Sequence, residues 1–115
     1  MSLIIKAGPD IHDYLVIIQG DLDLYATAEV NGCFKGILEN GAKRIVLDLQ
    51  DLVYLDSSGV GVLIRLLQNA AGLSVAVGVS GLGGTPKKVL QLCNVITLLK
   101  LFDRPQDAWA QLGKK

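Results

Sequence analysis

The residue pattern predicts a mixed α/β fold: one domain over residues 1–115, with a four- to five-stranded sheet and about four packed helices. Three observations lead there. From residue 44 onward, β-branched segments alternate with segments of helical spacing, which implies right-handed parallel crossovers. The chain opens differently, on two strand-like segments separated by the turn residues Gly8-Pro9-Asp10, so one pair is antiparallel. Its 115 residues, 50% of them hydrophobic, suffice for one core without metal or disulfide support.

Each element has its own warrant. Residues 3–5 and 14–20 are rich in Ile, Leu and Val and read as the opening hairpin. Asp21-Leu22-Asp23-Leu24 reads as a loop. Residues 27–40 follow as a helix whose Val30, Cys33, Phe34, Ile37 and Leu38 share one face, with Gly41 as its C-terminal cap. Gly32 and Gly36 weaken it by about 1 kcal/mol each relative to Ala, and their GxxxG spacing means little outside a membrane. Residues 44–49 form the third strand and residues 51–56 a loop or short extended turn. Residues 57–71 are apolar nearly all round, apart from Arg65, Gln68 and Asn69, and so form a helix laid against a sheet. Residues 73–79 make a fourth strand, followed by a flexible loop, 81–84. The next helix is expected to use Thr85 as N-cap and Pro86 at its first position, with Val89, Leu90, Leu92 and Cys93 inward. Residues 96–101 offer a short fifth strand, and residues 106–112 a last helix with Ala108, Trp109 and Leu112 inward.

Composition excludes several function classes. Lys+Arg and Asp+Glu are both 11, a formal net charge of zero, so a broad nucleic-acid footprint is not expected. Only the tail Gly113-Lys114-Lys115 is locally basic. No apolar run approaches the roughly 20 residues of a bilayer span, and the start has no signal-peptide pattern. No membrane insertion is expected, and the protein is placed in the cytoplasm. Cys33 and Cys93 lack metal or redox spacing and are expected as buried reduced thiols.

One junction stands out: Tyr54-Leu55-Asp56-Ser57-Ser58-Gly59-Val60-Gly61. Asp and Ser are the usual N-caps, which accounts for Asp56 or Ser57. Capping does not account for Gly59 and Gly61 in the first turns of a helix, where each costs stability. Glycine there admits another backbone or a large anion, and a helix N-terminus favours anions. A phosphate on Ser57 would add about −1.5 to −2 charges facing the helix dipole. It would also face Asp56, and Asp21 or Asp23 if that loop lies alongside.

Here the chain resembles the STAS domain family, found in sulphate-transporter tails and anti-sigma factor antagonists. The segments Gly20-Asp21-Leu22-Asp23, Arg44-Ile45-Val46-Leu47-Asp48-Leu49 and Thr85-Pro86-Lys87-Lys88-Val89-Leu90 resemble the family's corresponding loop, central strand and helix. Leu55-Asp56-Ser57-Ser58-Gly59-Val60-Gly61 matches its D-S-S/A-G-x-G signature. Cys93-Asn94-Val95 departs from the family's frequent Thr-Gly-Leu-like turn. The resemblance implies a non-enzymatic, cofactor-free bacterial regulator. By it, Ser57 is the phosphoacceptor of an anti-sigma factor serine kinase. The unphosphorylated form binds that kinase and so releases a sigma factor, and a serine phosphatase resets the switch. It also implies partner-binding roles for Asp21, Asp23, Asp56, Ser58, Gly59 and Gly61.

Rival readings have less behind them. A serine hydrolase would need His12, the only histidine, beside Ser57, and G-x-S-x-G is absent. No Gly-Lys-Ser/Thr supports a P-loop. Asp21, Asp23, Asp48 and Asp56 have no metal-loop spacing and read as caps or an acidic rim. Within the fold, the alternative is a permanent interaction subunit of a transport or sensory complex, with no phosphoswitch.

Overall fold

The computed structural model describes residues 1–113, so the tail lysines 114 and 115 lie outside the described residues. Strands β1 (Ser2–Ala7) and β2 (Asp13–Leu22) form the expected antiparallel hairpin, with Ile5 opposite Val16. Helix α1 (Thr27–Glu39) follows and ends where Gly41 takes φ +81°, a left-handed turn that glycine adopts without steric cost. Next come β3 (Arg44–Asp48), β4 (Leu52–Leu55), α2 (Ser57–Gly72) and β5 (Ala76–Ser80). The chain closes with α3 (Gly84–Leu92), a 3-10 turn (Ile96–Leu98), β6 (Leu101–Phe102) and α4 (Pro105–Gln111). All pairings after the hairpin are parallel, in the order β1-β2-β3-β5-β6, with β4 also on β2.

The sheet thus has six strands. The extra one, β4, lies where the sequence reads as a loop, because four residues are too few to show alternation. Its identity comes from β2, which is ten residues long and outlasts β3. Asp13 to Ile17 pair with β3. A register shift at Gly20 then turns Gly20 to Leu22 toward β4, so Asp21 and Leu22 belong to a strand and not to the expected loop.

Helices cover both faces. The main core lies between the sheet and α1 and α2 and includes Val16, Ile18, Leu22, Phe34, Ile45, Leu47, Leu63 and Leu66. The inward face foreseen for α1 is there: Val30, Phe34 and Ile37 are buried, Cys33 and Leu38 partly so. A smaller core on the opposite face joins Val46, Ala108 and Leu112, flanked by Leu15, Phe102 and Trp109.

A polar clamp closes that second face. Asp13, only 3% exposed, accepts from Arg44 Nε at 2.9 Å and is also paired with Arg44 Nη2. Arg44 Nη1 donates to the carbonyls of Trp109 (3.1 Å) and Leu112 (2.9 Å), and the guanidinium stacks over the Trp109 ring at 5.1 Å. The hydrogen bond from Arg44 holds the Asp13 carboxyl below the usual carboxylate range. One side chain therefore ties the start of β2, β3 and α4 together.

Several local expectations are corrected. Helix α3 begins at Gly84 with Gly83 as N-cap, so Thr85 is inside the helix and does not cap it. Pro86 is buried in the first turn, where a missing N–H costs nothing. Its inward face is Pro86, Leu90 and the half-buried Val89, which packs against the core as expected; Leu92 is 88% exposed and Cys93 is exposed. Cys33 is half-buried, so neither thiol is fully buried. Asn94 takes φ +59°, the left-handed conformation that the Thr-Gly-Leu-like turn would give to glycine. Residues 73–75 precede β5 because Ser74 is left-handed at φ +58°. The last strand is Leu101–Phe102, since Ile96–Leu98 winds into the 3-10 turn.

Candidate functional site

Parallel pairing of β2 with β4 builds the site. Asp21 stands opposite Tyr54 and Leu22 opposite Leu55, so Asp23 leaves β2 beside Asp56 as it leaves β4. Paired strands lie about 5 Å apart. The Leu22 carbonyl lies beneath Gly59, so the chain at Asp23 emerges next to the first turn of α2, which Asp56 opens.

Asp56 is the N-cap. Its backbone is extended, and its Oδ1 accepts from the amides of Ser58 (3.0 Å) and Gly59 (3.1 Å). This satisfies two of the four amides that a helix start leaves unpaired. It also frees Ser57 from capping. Ser57 is exposed at the first helical position, and Ser58 is half-buried behind it.

The two glycines divide. Gly59 is buried: a Cβ there would stand 2.5 Å from Leu55 Cδ1 and 3.0 Å from Leu22 Cγ, and would overlap the Leu22 carbonyl oxygen. Glycine at this position lets α2 press against the end of β2. Gly61 is exposed, with open space where its Cβ would be. No packing requirement explains it.

Asp23 organises the adjoining loop. Its Oδ1 accepts from the amides of Tyr25 (3.0 Å) and Ala26 (3.2 Å), and Thr27 Oγ1 donates to the Leu24 carbonyl at 2.9 Å. A turn tied at both ends holds Leu24 64% and Tyr25 93% exposed. On β4, Val53 and Tyr54 are exposed too. These four apolar side chains escape sequence reasoning, because a residue's exposure depends on what lies across from it. The available signal was two large apolar residues next to an acidic turn. Asp21 is exposed, and among the described residues Asp21, Asp23 and Asp56 form no ion pair. The surface is an acidic, partly apolar rim around the exposed Ser57 hydroxyl.

The geometry bears on the rivals. His12 precedes the first residue of β2, whereas Ser57 lies past its last, so the strand's length of about 30 Å separates them. His12 is no base for Ser57. Among the described residues no three His, Cys, Asp or Glu side chains converge as metal ligands, and Asp48 turns instead toward Gln50 N and the buried Ser80 hydroxyl. No helix among the described residues is long and apolar enough to cross a membrane.

Comparison with known proteins agrees with the fold. A STAS-domain containing protein of Pseudomonas aeruginosa is 26% identical over 101 residues, 88% of this chain and 99% of that one. The anti-sigma-B factor antagonist of Staphylococcus aureus is 28% identical over 68 residues, 59% of this chain and 63% of its own length. The Bacillus cell fate determinant SpoIIAA in its phosphorylated form superposes with a TM-score of 0.75 at 17% identity, covering 96% of this chain and 98% of that one. The STAS domain profile matches residues 4–108, and with the sheet order and the Asp56–Gly61 junction in place, the chain belongs to the STAS domain family.

Proposed function

We propose that this protein is an anti-sigma factor antagonist that switches partners through phosphorylation of Ser57. The observation that carries the reading is the exposed Ser57 hydroxyl on the first turn of α2, flanked by Asp56 and by Asp23 from the neighbouring strand end. The unphosphorylated rim binds an anti-sigma factor serine kinase in the cytoplasm. Asp21, Asp23 and Asp56 offer carboxylates to its cations, and Ser58 and Gly61 lie along the docking helix. Gly59 acts from beneath by seating that helix. The kinase brings the nucleotide, so the antagonist needs no cofactor, and a serine phosphatase restores the free hydroxyl. Nucleic acid is reached only through the released sigma factor.

Electrostatics supports the switch. A phosphate at a helix N-terminus faces a favourable dipole, so the fold tolerates it. Toward a partner, the change is large. Two charges about 6 Å apart at an effective dielectric of about 20 interact by about 3 kcal/mol, and about 2.7 kcal/mol is a hundredfold in affinity. Where the partner surface opposite Ser57 is acidic or apolar, a phosphate of about −2 charges meets repulsion or loses hydration there, and expels the partner without refolding even though the flanking carboxylates face its cations.

The test is intact-mass and peptide mass spectrometry on protein taken from its own cells, growing and stressed, beside a Ser57→Ala strain. The expected result is a growth-dependent phosphate on the Asp56-Ser57-Ser58 peptide, absent from the mutant. Phosphate persisting in Ser57→Ala moves the site elsewhere. No phosphate under any condition, with phosphatases inhibited, overturns the switch and leaves a constitutive interaction subunit.

A further inference from the structure

Beyond the Ser57 surface, the outer edge of the sheet carries its own information. Among the described residues, strand β1 pairs only with β2, and its other edge is open. The hydrogen-bond phase tells which groups face outward. Gly8 N donates to Asp13 O at 2.9 Å, so the bonded pairs of the hairpin are Gly8 with Asp13 and, two residues at a time, Lys6–Leu15, Ile4–Ile17 and Ser2–Gln19. The far side of β2 agrees, since His12 O accepts from Lys43 N at 2.8 Å across β3. The backbone N–H and C=O groups of Leu3, Ile5 and Ala7 therefore point away from the sheet.

Natural edge strands are usually blunted by proline, a bulge, shortness or charged side chains, lysine above all. Strand β1 is six residues long and carries a single such device, Lys6, with no proline or bulge. Ile4 is 37% and Ile5 49% exposed. The free groups are also symmetric about Ile5. An antiparallel copy centred there sets Leu3 opposite the second copy's Ala7, Ile5 opposite Ile5, and Ile4 opposite Lys6. Large meets small, β-branched meets β-branched, and the lysine stem covers the exposed isoleucine. The two Lys6 ammonium groups fall on opposite sides of the twofold axis. A formal net charge of zero on the chain removes long-range repulsion between copies.

We infer that β1 is a self-association edge, joining two copies of this chain antiparallel about Ile5 into one continuous sheet. Each outward-facing pair would exchange two N–H···O bonds in an isologous interface. The strand edge by itself is smaller than the interfaces of tight dimers, so association is expected at high protein concentration. Ser57 itself lies on the β4 side of β2, while the Asp21–Tyr25 part of the rim reaches Met1, the residue before β1; the paired edge groups are those of Leu3, Ile5 and Ala7, so the Ser57 hydroxyl stays free in the dimer.

Sedimentation velocity from about 20 μM to about 1 mM, with amide exchange by NMR at both ends of that range, tests this. The expected result is a rise toward dimer mass, with Leu3, Ile5 and Ala7 amides slowing at least tenfold. Ile5→Pro removes an outward N–H and no hairpin bond, so it should fold and remain monomeric; Ile5→Lys is the second variant should proline disturb the strand. A monomer at the highest concentration overturns the inference. So does a dimer whose three amides still exchange fast, which would use another surface. Protection of those amides only when a different protein is added also overturns it and assigns the edge to that partner. None of these readouts depends on Ser57 phosphorylation.

Discussion

Gly59 and Gly61 carry the same sequence argument, yet the structure gives them opposite consequences. Both lie in α2, so replacing either with Ala gains helix propensity of about 1 kcal/mol. At Gly61 nothing opposes this, because the methyl enters open space. At Gly59 the methyl overlaps the Leu22 carbonyl and stands 2.5 Å from Leu55 Cδ1. A carbonyl fixed in a strand cannot rotate aside, so α2 must lift from β2, and overpacking of this kind costs up to about 3 kcal/mol. The net expectation is a loss of about 2 kcal/mol for Gly59→Ala and a gain of about 1 kcal/mol for Gly61→Ala. At about 2.1 cal/mol/K per residue of unfolding entropy, 1 kcal/mol shifts Tm by about 4 °C for a chain of this length. Thermal and urea denaturation should show Gly59→Ala about 8 °C lower and Gly61→Ala about 4 °C higher. Two stabilised variants, or two equally destabilised ones, would refute the claim that Gly59 alone is a packing contact. A Gly61→Ala protein that is more stable yet binds its partner less well would separate docking from folding.

Four further predictions concern the clamp, the cap and the thiols. Arg44→Ala leaves the buried Asp13 carboxylate without its partner and should cost about 3–5 kcal/mol, with faster amide exchange throughout α4; unchanged exchange there would disconnect Arg44 from that helix. Because Arg44 depresses the Asp13 carboxyl, the unfolded chain binds that proton first as pH falls. The pair's stabilisation is full above about pH 4 and fades below it, and Asp13→Asn should remove this part of the acid slope in urea titrations. Asp56→Ala should lose about 1–2 kcal/mol with both capping bonds, whereas Asp56→Asn should keep most of it, so equal losses would mean the charge matters and the cap does not. Thiol-reagent kinetics should show Cys93 reacting first, because burial, reinforced by Glu29, raises the Cys33 thiol above its ordinary value; faster labelling of Cys33 would contradict that placement.

Features that rest on local chemistry are legible in the residue order. Asp56-Ser57 before an apolar helical run marks a cap, though only the structure assigns it to Asp56; Gly41 ends a helix, and the spacing of Val30, Phe34 and Ile37 marks one buried face. The α/β class follows from such segments in order, and the hairpin from its turn. Which distant segments meet emerges only when the sheet is assembled. Strand β4 exists because β2 outlasts β3 and changes neighbour at Gly20, a fact of register that four residues cannot announce. The same register brings Asp23 beside Asp56, separates Gly59 from Gly61 in role, and leaves Leu92 and Cys93 in solvent. The Arg44–Asp13 clamp needs β2, β3 and α4 assembled before its charges can find each other. Caps and periodicity are set within one or two turns of chain, whereas strand neighbours depend on a pairing in which a slip of one residue exchanges every buried side chain for an exposed one.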